Sequence, residues 1–376
     1  MSTPRLQIDL TKIRHNARVL IRRLKRRGIA TTGVTKAFLG LPELARVFVD
    51  AGVDALGDAL IENIEAMRRD HVAAEMMLIR SPMLSQVERV VASADSSFNT
   101  EAVVISGLSS AARALGKIHG IVLMVELGDL REGIMPSELA GVVRHTLRLP
   151  NVVLKGIGAN LACRSGVRPD TKNMACLSEL AVAIEVQFRI ALGMVTGGNS
   201  SSLEWALGGS QIGRVNNLRL GESILLGRDP SHCKPISGLH IDAITLVAEV
   251  IEAKLKPSAP WGEFGQSTFG QVGNNIDRGI ICQTILAVGQ QDVDASGLQP
   301  PAGVEILGAS SDHLVIRSKP GTLAIGDEVN FQLNYSALLR AMTSPFLLKD
   351  LTSKMSGLQH RNASSRASSL DVECRV

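Results

Sequence analysis

From about residue 30 to residue 226 the chain alternates short β-prone runs with helical stretches, and no other feature restricts its fold so tightly. The runs that read as strands are Thr32–Lys36, Asp54–Gly57, Met76–Arg80, Asp95–Asn99, Ile121–Leu127, Val153–Ala159, Gly193–Gly197 and Leu220–Leu226. Between them lie helical patterns such as Pro42–Ala51, Ile61–Arg69, Leu84–Ala92 and Thr171–Phe188. Such alternation implies parallel strands joined by crossover helices. Eight units in roughly 200 residues predict an α/β fold of the (β/α)8 TIM barrel type.

A helix is also expected just before this rhythm, over Lys12–Arg27. Ile13, Ala17, Leu20, Ile21 and Leu24 fall on one face, and Arg14, Arg18, Arg22, Lys25 and Arg26 on the other. That basic face reads as the solvated outside of a barrel helix rather than a nucleic-acid patch. After Gly227 the rhythm stops. Asp242–Glu252, Cys282–Val288, Glu305–Gly308, His313–Ile316 and Glu328–Leu333 read as strands of a smaller β-rich domain, which the segment LQIDL near the N-terminus can join. The expected division is a barrel over 5–230, a β-rich domain over 231–350 and a serine-rich disordered tail over 351–376.

Composition narrows the function classes. The net charge of +4 is too mild to argue for a nucleic-acid partner, and 3% aromatic residues leave few platforms for stacking bases. No apolar run reaches the ~18 residues of a membrane span. The five scattered cysteines form no CxxC pair, so neither a disulfide framework nor a zinc finger is expected and the reducing cytoplasm is the default location.

A barrel carries its reactive groups at the C-terminal ends of its strands. Lys36 ends the first strand between Val34 and Phe38, partly apolar surroundings that suit an amine nucleophile. Arg131 follows the fifth strand, and Asn160 and Cys163 follow the sixth. The loop Thr196–Ser202, with Gly197, Gly198, Asn199 and Ser200, offers backbone N–H groups and hydroxyls to an anion. Arg219 and Gly221 lie at the eighth strand, and loops after strands seven and eight are where barrels commonly hold phosphate. A lysine facing a phosphate cradle across a barrel mouth describes a pyridoxal-phosphate site.

The segments GVTKAFLG, GDALIENI, LMVELGDLREGI, KGIGANLAC, TGGNSSSL, NNLRLGESILLGRD and EILGASSDHLVI…NYSALLRAM, spread from near residue 5 to about residue 346, carry a resemblance. The chain resembles the alanine racemase-type (fold type III) pyridoxal-phosphate enzymes, and within them the ornithine and amino-acid racemase branch. The resemblance implies that Lys36 holds the cofactor covalently and that Arg131 contacts its phenolic oxygen. Asn160 stands where a histidine packs beside the pyridine ring. Asn199, Ser200 and the backbone at Gly221 and Glu222 match the phosphate cradle. Arg219 matches the arginine on the pyridine nitrogen. An arginine does not give up its proton, so that nitrogen would stay unprotonated and side reactions would be suppressed. Tyr335 matches a second-domain tyrosine on the phosphate, although by itself a tyrosine in a β-rich domain reads as core.

The chain also departs from that family. Racemisation needs a proton carrier on each face of Cα. Lys36 would serve one face, but Gln290 stands near the place of the family's second catalytic group, and glutamine cannot act as an acid or base. Cys163, Asp292, Asp312 and His313 are the candidates. Asp312 could alternatively face the side chain of a cationic substrate such as ornithine or lysine. Zinc-dependent relatives of this fold pair a histidine like His313 with a later cysteine; the loop here is Asn334-Tyr335-Ser336-Ala337, so no metal is expected. The resemblance thus implies an amino-acid racemase acting on a small-molecule substrate, as a head-to-tail homodimer with its site at the subunit interface. The alternatives are a non-catalytic pyridoxal-phosphate homeostasis protein and a lyase or decarboxylase on the same scaffold.

Overall fold

The computed structural model describes residues 4–263 and 277–353. Its first strand, β1 (Arg5–Asp9), leads into α1 (Leu10–Lys25). Asp9 caps that helix, accepting from the amides of Thr11 and Lys12 at 2.9 and 3.0 Å. Ile13, Ala17, Leu20 and Leu24 are buried as the spacing predicts, and Arg18, Arg22, Lys25 and Arg26 face solvent. Asn16 interrupts the apolar stripe for a structural reason. Its amide donates to the carbonyls of Ile224 and His240 and accepts from the His240 N–H, tying the helix to the end of the barrel.

Eight strands then close into a parallel barrel: β2 (Ala30–Val34), β3 (Ala55–Asp58), β4 (Met76–Leu78), β5 (Ser96–Asn99), β6 (His119–Val125), β7 (Val152–Ala159), β8 (Met194–Thr196) and β9 (Asn217–Leu220). The outer helices are α2 (Pro42–Ala51), α3 (Ile61–Arg69), α4 (Val87–Ser93), α5 (Ala102–Ala114), α6 (Leu139–Arg148), α7 (Thr171–Phe188) and the short α8 (Leu203–Leu207). The expected barrel is therefore observed, and its largest core lies between strands and helices. A second apolar cluster of Ala55, Met77, Phe98, Val122 and Met124 fills the barrel interior.

Two local expectations need correction. The run Leu220–Leu226 is not the eighth strand: β9 is Asn217–Leu220, and Glu222–Leu226 forms a short helix, α9. All of Ser223 to Leu226 is buried, and in a continuous buried run a strand and a helix carry the same apolar pattern. Likewise Lys36 does not end a strand. It opens a tight turn over Lys36–Phe38, two residues beyond β2.

Glycines set the spacing between β7 and β8. A Cβ on Gly156 would lie 1.9 Å from the Met194 carbonyl oxygen, and one on Gly158 would lie 2.3 Å from Thr196 Cγ2. Backbone atoms cannot move aside as a side-chain tip can. Gly156→Ala is therefore expected to destabilise the protein by about 3 kcal/mol, read as a lower denaturant midpoint.

The chain then forms a largely antiparallel sheet from β10 (Ile244–Pro257), β11 (Ile280–Leu286), β12 (Leu298–Gln299), β13 (Glu305–Ala309), β14 (Leu314–Ser318), β15 (Glu328–Leu333) and β16 (Leu348–Thr352). The strand order is β12-β15-β10-β11-β14-β13. The N-terminal segment joins it as expected, with β1 antiparallel to β10 and parallel to β16. Residues 351 and 352, assigned to the tail from sequence, complete β16; the tail from 354 onward lies outside the described residues. Tyr335 starts a helix, α10 (Tyr335–Thr343), capped by Asn334, whose side chain accepts from the Ala337 amide at 2.9 Å. This helix packs against the Lys36 turn and so brings the second sheet's connections to the barrel mouth. Among the described residues no helix is long and apolar enough to cross a membrane.

Candidate active site

A cavity of about 470 Å³ opens at the C-terminal ends of the barrel strands. It gathers Lys36, Arg131, Asn160, Cys163, Asn199, Ser200, Arg219, Gly221, Glu222 and Tyr335, ten of the residues singled out from sequence. In the closed ring β2 stands opposite β6 and next to β9. Lys36 therefore lies across the mouth from Arg131, on the loop after β6; Cys163, after β7, lies beside Asn199 on the loop after β8, and Gly221 and Glu222 follow the adjacent β9.

Lys36 is held from below. Thr35 Oγ1 donates to Asp58 Oδ2 at 2.5 Å, and Asp58 Oδ1 accepts from the Leu60 amide and from Asn63 Nδ2, both at 2.9 Å. Asp58 is fully buried, and burial raises its pKa against these hydrogen bonds. The turn is thus anchored one residue before the lysine, and among the described residues the Lys36 amine has no hydrogen-bond or ion-pair partner of its own.

The facing wall is tied just as firmly. Asp129 is 1% exposed, and its carboxylate accepts from the amides of Cys163, Arg164 and Ser165, joining the loop after β6 to the loop after β7. Glu126 accepts from the amides of Gly128, Leu130 and Arg131. Arg131 and Glu132 pair through both guanidinium and carboxylate forks.

Arg219 lies in the cavity floor, 4% exposed. It donates to Thr196 Oγ1 at 2.6 Å, to the Ala159 carbonyl at 2.9 Å and to Asn160 Oδ1 at 3.2 Å, with its guanidinium 5.2 Å from the centre of the Phe98 ring. Burial pulls its pKa down to about 10, with Cys163 and Glu132 opposing and Arg131 adding to the fall; it remains a cation at neutral pH. Asn160 Nδ2 is buried and has no partner among the described residues, a donor left over at the cavity wall. Asn199 spends its amide on Asn160, Leu161 and Cys163 Sγ, and its oxygen on Ser201. Ser200 Oγ accepts from the Ser223 amide at 3.2 Å.

Two titrations are displaced. Burial pushes the Tyr335 hydroxyl up, with Glu222, Cys163 and Asp58 adding to the shift, so it stays protonated. Burial also pushes Glu222 up to about 7, raised further by Asp229 and eased by Lys36. A carboxyl whose folded pKa lies above its unfolded value of 4.5 contributes most stability below pH 4.5 and loses it as the pH rises through about 7. Without cofactor, the protein should therefore lose up to roughly 3 kcal/mol relative to Glu222→Gln between these limits. Denaturant titrations of both proteins at several pH values check this; a constant difference contradicts it.

Asp292, Asp312 and His313 are not in this cavity. Asp312 and His313 sit on the exposed turn between β13 and β14, paired through His313 Nδ1 at 2.9 Å, a contact that lowers the Asp312 pKa. Asp292 accepts from Ser344 Oγ at 2.6 Å. Sequence reasoning also missed residues that matter here. Arg80 and Glu132 line the cavity, and both follow strand ends, a signal that could have found them. Asp58, the last residue of β3, carries the same signal but acts through Thr35 and the Leu60 amide, and Asp129 acts through the amides of the neighbouring loop and carries no such signal.

A family model described as alanine racemase, N-terminal domain, matches residues 8–229. The chain is 38% identical over 352 residues to the ornithine racemase of Acetoanaerobium sticklandii, spanning 93% of this chain and 99% of that protein. It is 37% identical to the lysine racemase of Thermotoga maritima, spanning 93% and 98%. Its fold matches the alanine racemase from Streptomyces coelicolor A3(2) with a TM-score of 0.74 at 18% identity, over 92% of this chain and 97% of that one. With a match to the family model through the whole barrel and more than a third identity along nearly all of its length, the chain belongs to the alanine racemase N-terminal domain family.

Proposed function

We propose that the protein is a pyridoxal-phosphate-dependent amino-acid racemase that acts on a cationic amino acid such as ornithine or lysine. One observation carries the reading: a lysine amine without a hydrogen-bond or ion-pair partner among the described residues faces an arginine across a closed barrel mouth that also holds a thiol, above a buried arginine. The named activities of the relatives from A. sticklandii and T. maritima support the substrate class.

The donor set fits pyridoxal phosphate. Asn160 Nδ2 is a buried donor without a partner among the described residues, Ser200 and the backbone at Gly221 and Glu222 line the same cavity as Lys36 and would hold the phosphate, and Tyr335 keeps its proton. When bound through Lys36, the cofactor supplies an electron sink that acidifies the substrate Cα–H. The rest is the work of this chain. Arg219 holds a fixed positive charge at the floor, where it cannot deliver a proton to a ring nitrogen. Arg131 presents a cation to the phenolic oxygen or the substrate carboxylate. The freed Lys36 amine takes or returns the Cα proton on its own side of the mouth. We assign the other face to Cys163: its thiol lines the cavity beside Asn199, and its backbone is held by the Asp129 carboxylate. Asp312 and His313 remain candidates only as groups brought by a second copy. We take the working form as a head-to-tail homodimer in which one β-rich domain borders the partner's cavity. The free thiols of Cys163, Cys176, Cys233 and Cys282 support a reducing, cytoplasmic setting.

The test is to give the cofactor-loaded protein pure L-ornithine and follow the circular dichroism signal. Decay to zero with ornithine still intact supports racemisation. Loss of carbon dioxide or of the side chain identifies a lyase, and no change with cofactor bound identifies a carrier.

A further inference from the structure

We propose that Glu132 is the carboxylate that receives the cationic side chain of the substrate, a role that rests on the racemase reading above. The cavity is lined by four cationic side chains, Lys36, Arg80, Arg131 and Arg219, and by two carboxyls, Glu132 and Glu222. A diamino acid brings one anionic and two cationic groups, and its α-amine is consumed at the cofactor. Among the described residues that line the cavity, these two carboxyls are the groups that can pair with its side-chain ammonium.

Position separates them. Glu222 lies beside Lys36 and Tyr335, among the cradle residues. A cation drawn there would compete with the phosphate for the same space. Glu132 lies on the facing wall, its side chain 28% exposed, so that an entering ammonium keeps part of its water shell and the desolvation cost stays small. Both oxygens of Glu132 accept from Arg131, yet each carboxylate oxygen has a second lone pair for a further donor. Arg131 and Glu132 thus form a fixed pair of opposite charges, matching the carboxylate and the distal ammonium of one substrate.

The carboxylate is also preorganised. The loop that carries it closes back on its strand: the Ile134 amide donates to the Met124 carbonyl at 2.8 Å, and the Glu126 amide donates to the Ile134 carbonyl at 3.0 Å. Gly133 packs so closely that an added Cβ would meet Glu126 N at 2.5 Å. Leu130, at φ 53°, holds a left-handed conformation that the Glu126 carboxylate supports through the Leu130 amide. A binding group on a pinned loop loses little entropy when it engages its ligand. Asp312, offered from sequence as one residue that could face the substrate side chain, lies outside the cavity and is engaged by His313.

The experiment compares kcat/KM for L-ornithine and for L-norvaline, the same carbon chain without the terminal amine, in the cofactor-loaded wild type, Glu132→Gln and Glu132→Asp. The wild type should prefer ornithine. Glu132→Gln should lose at least about tenfold more on ornithine than on norvaline, chiefly in KM. Glu132→Asp should recover part of the preference. An equal loss on both substrates, or an unchanged preference, overturns the proposal: Glu132 would then act only by orienting Arg131. A wild type that racemises neither substrate while holding cofactor overturns the racemase reading itself, which a changed preference in the variants would leave standing. Should Glu132→Gln fail to fold, the shift in preference of Glu132→Asp decides the matter.

Discussion

Replacing Lys36 with alanine is expected to abolish the visible absorbance of lysine-bound pyridoxal and to lower racemisation by at least about 10³-fold, because the same amine anchors the cofactor and carries the proton. The protein should stay folded. The Lys36 amine has no hydrogen-bond or ion-pair partner among the described residues, and the turn beneath it is held by Thr35 and Asp58. Such a substitution typically changes stability by less than about 0.5 kcal/mol. The check is a spectrum and a thermal melt on the same sample. A bound-cofactor band that survives in Lys36→Ala contradicts the assignment of the lysine, whatever the activity shows.

Cys163→Ala carries the second large effect, and it separates two processes that the wild type combines. Lys36 alone can remove a proton from one enantiomer and return a solvent proton to the same face. Inversion needs a carrier on the other wall. In Cys163→Ala, inversion should fall by about 10²- to 10⁴-fold. One enantiomer should still exchange its Cα proton, with retention. The fold tolerates the change, because Asn199 keeps Asn160 and Leu161 as acceptors when the sulfur is removed. Inversion that proceeds unchanged removes Cys163 from the mechanism. The same assay on Asp312→Asn and His313→Gln then asks whether a second copy brings the group.

The barrel was legible because parallel strands buried on both sides and amphipathic helices leave different periods in the chain. The eighth strand was displaced because Asn217 and Arg219, buried polar residues of β9, disguise a real strand. The apolar run after Gly221 is a buried helix that looks like one. Residues that touch the cavity from strand ends, such as Lys36 and Arg219, could be found from their place in the rhythm. Asp129 could not: its role depends on amides more than 30 positions away, brought near only by the neighbouring arrangement of β6 and β7. Tyr335 was placed in the site by resemblance alone. Physically it arrives there because α10 packs on the Lys36 turn, a contact between distant segments that no local pattern announces.

The central claim is that this cavity exchanges the Cα proton of an amino acid and lets it return on either face. Incubating the cofactor-loaded protein with pure L-ornithine in heavy water, then measuring deuterium at Cα in each separated enantiomer, tests it most directly. The account predicts D-ornithine fully deuterated at Cα, with L-ornithine gaining deuterium until both enantiomers are equal in amount. Recovery of L-ornithine with its original proton and no D-enantiomer, from protein shown to hold the cofactor, would contradict it.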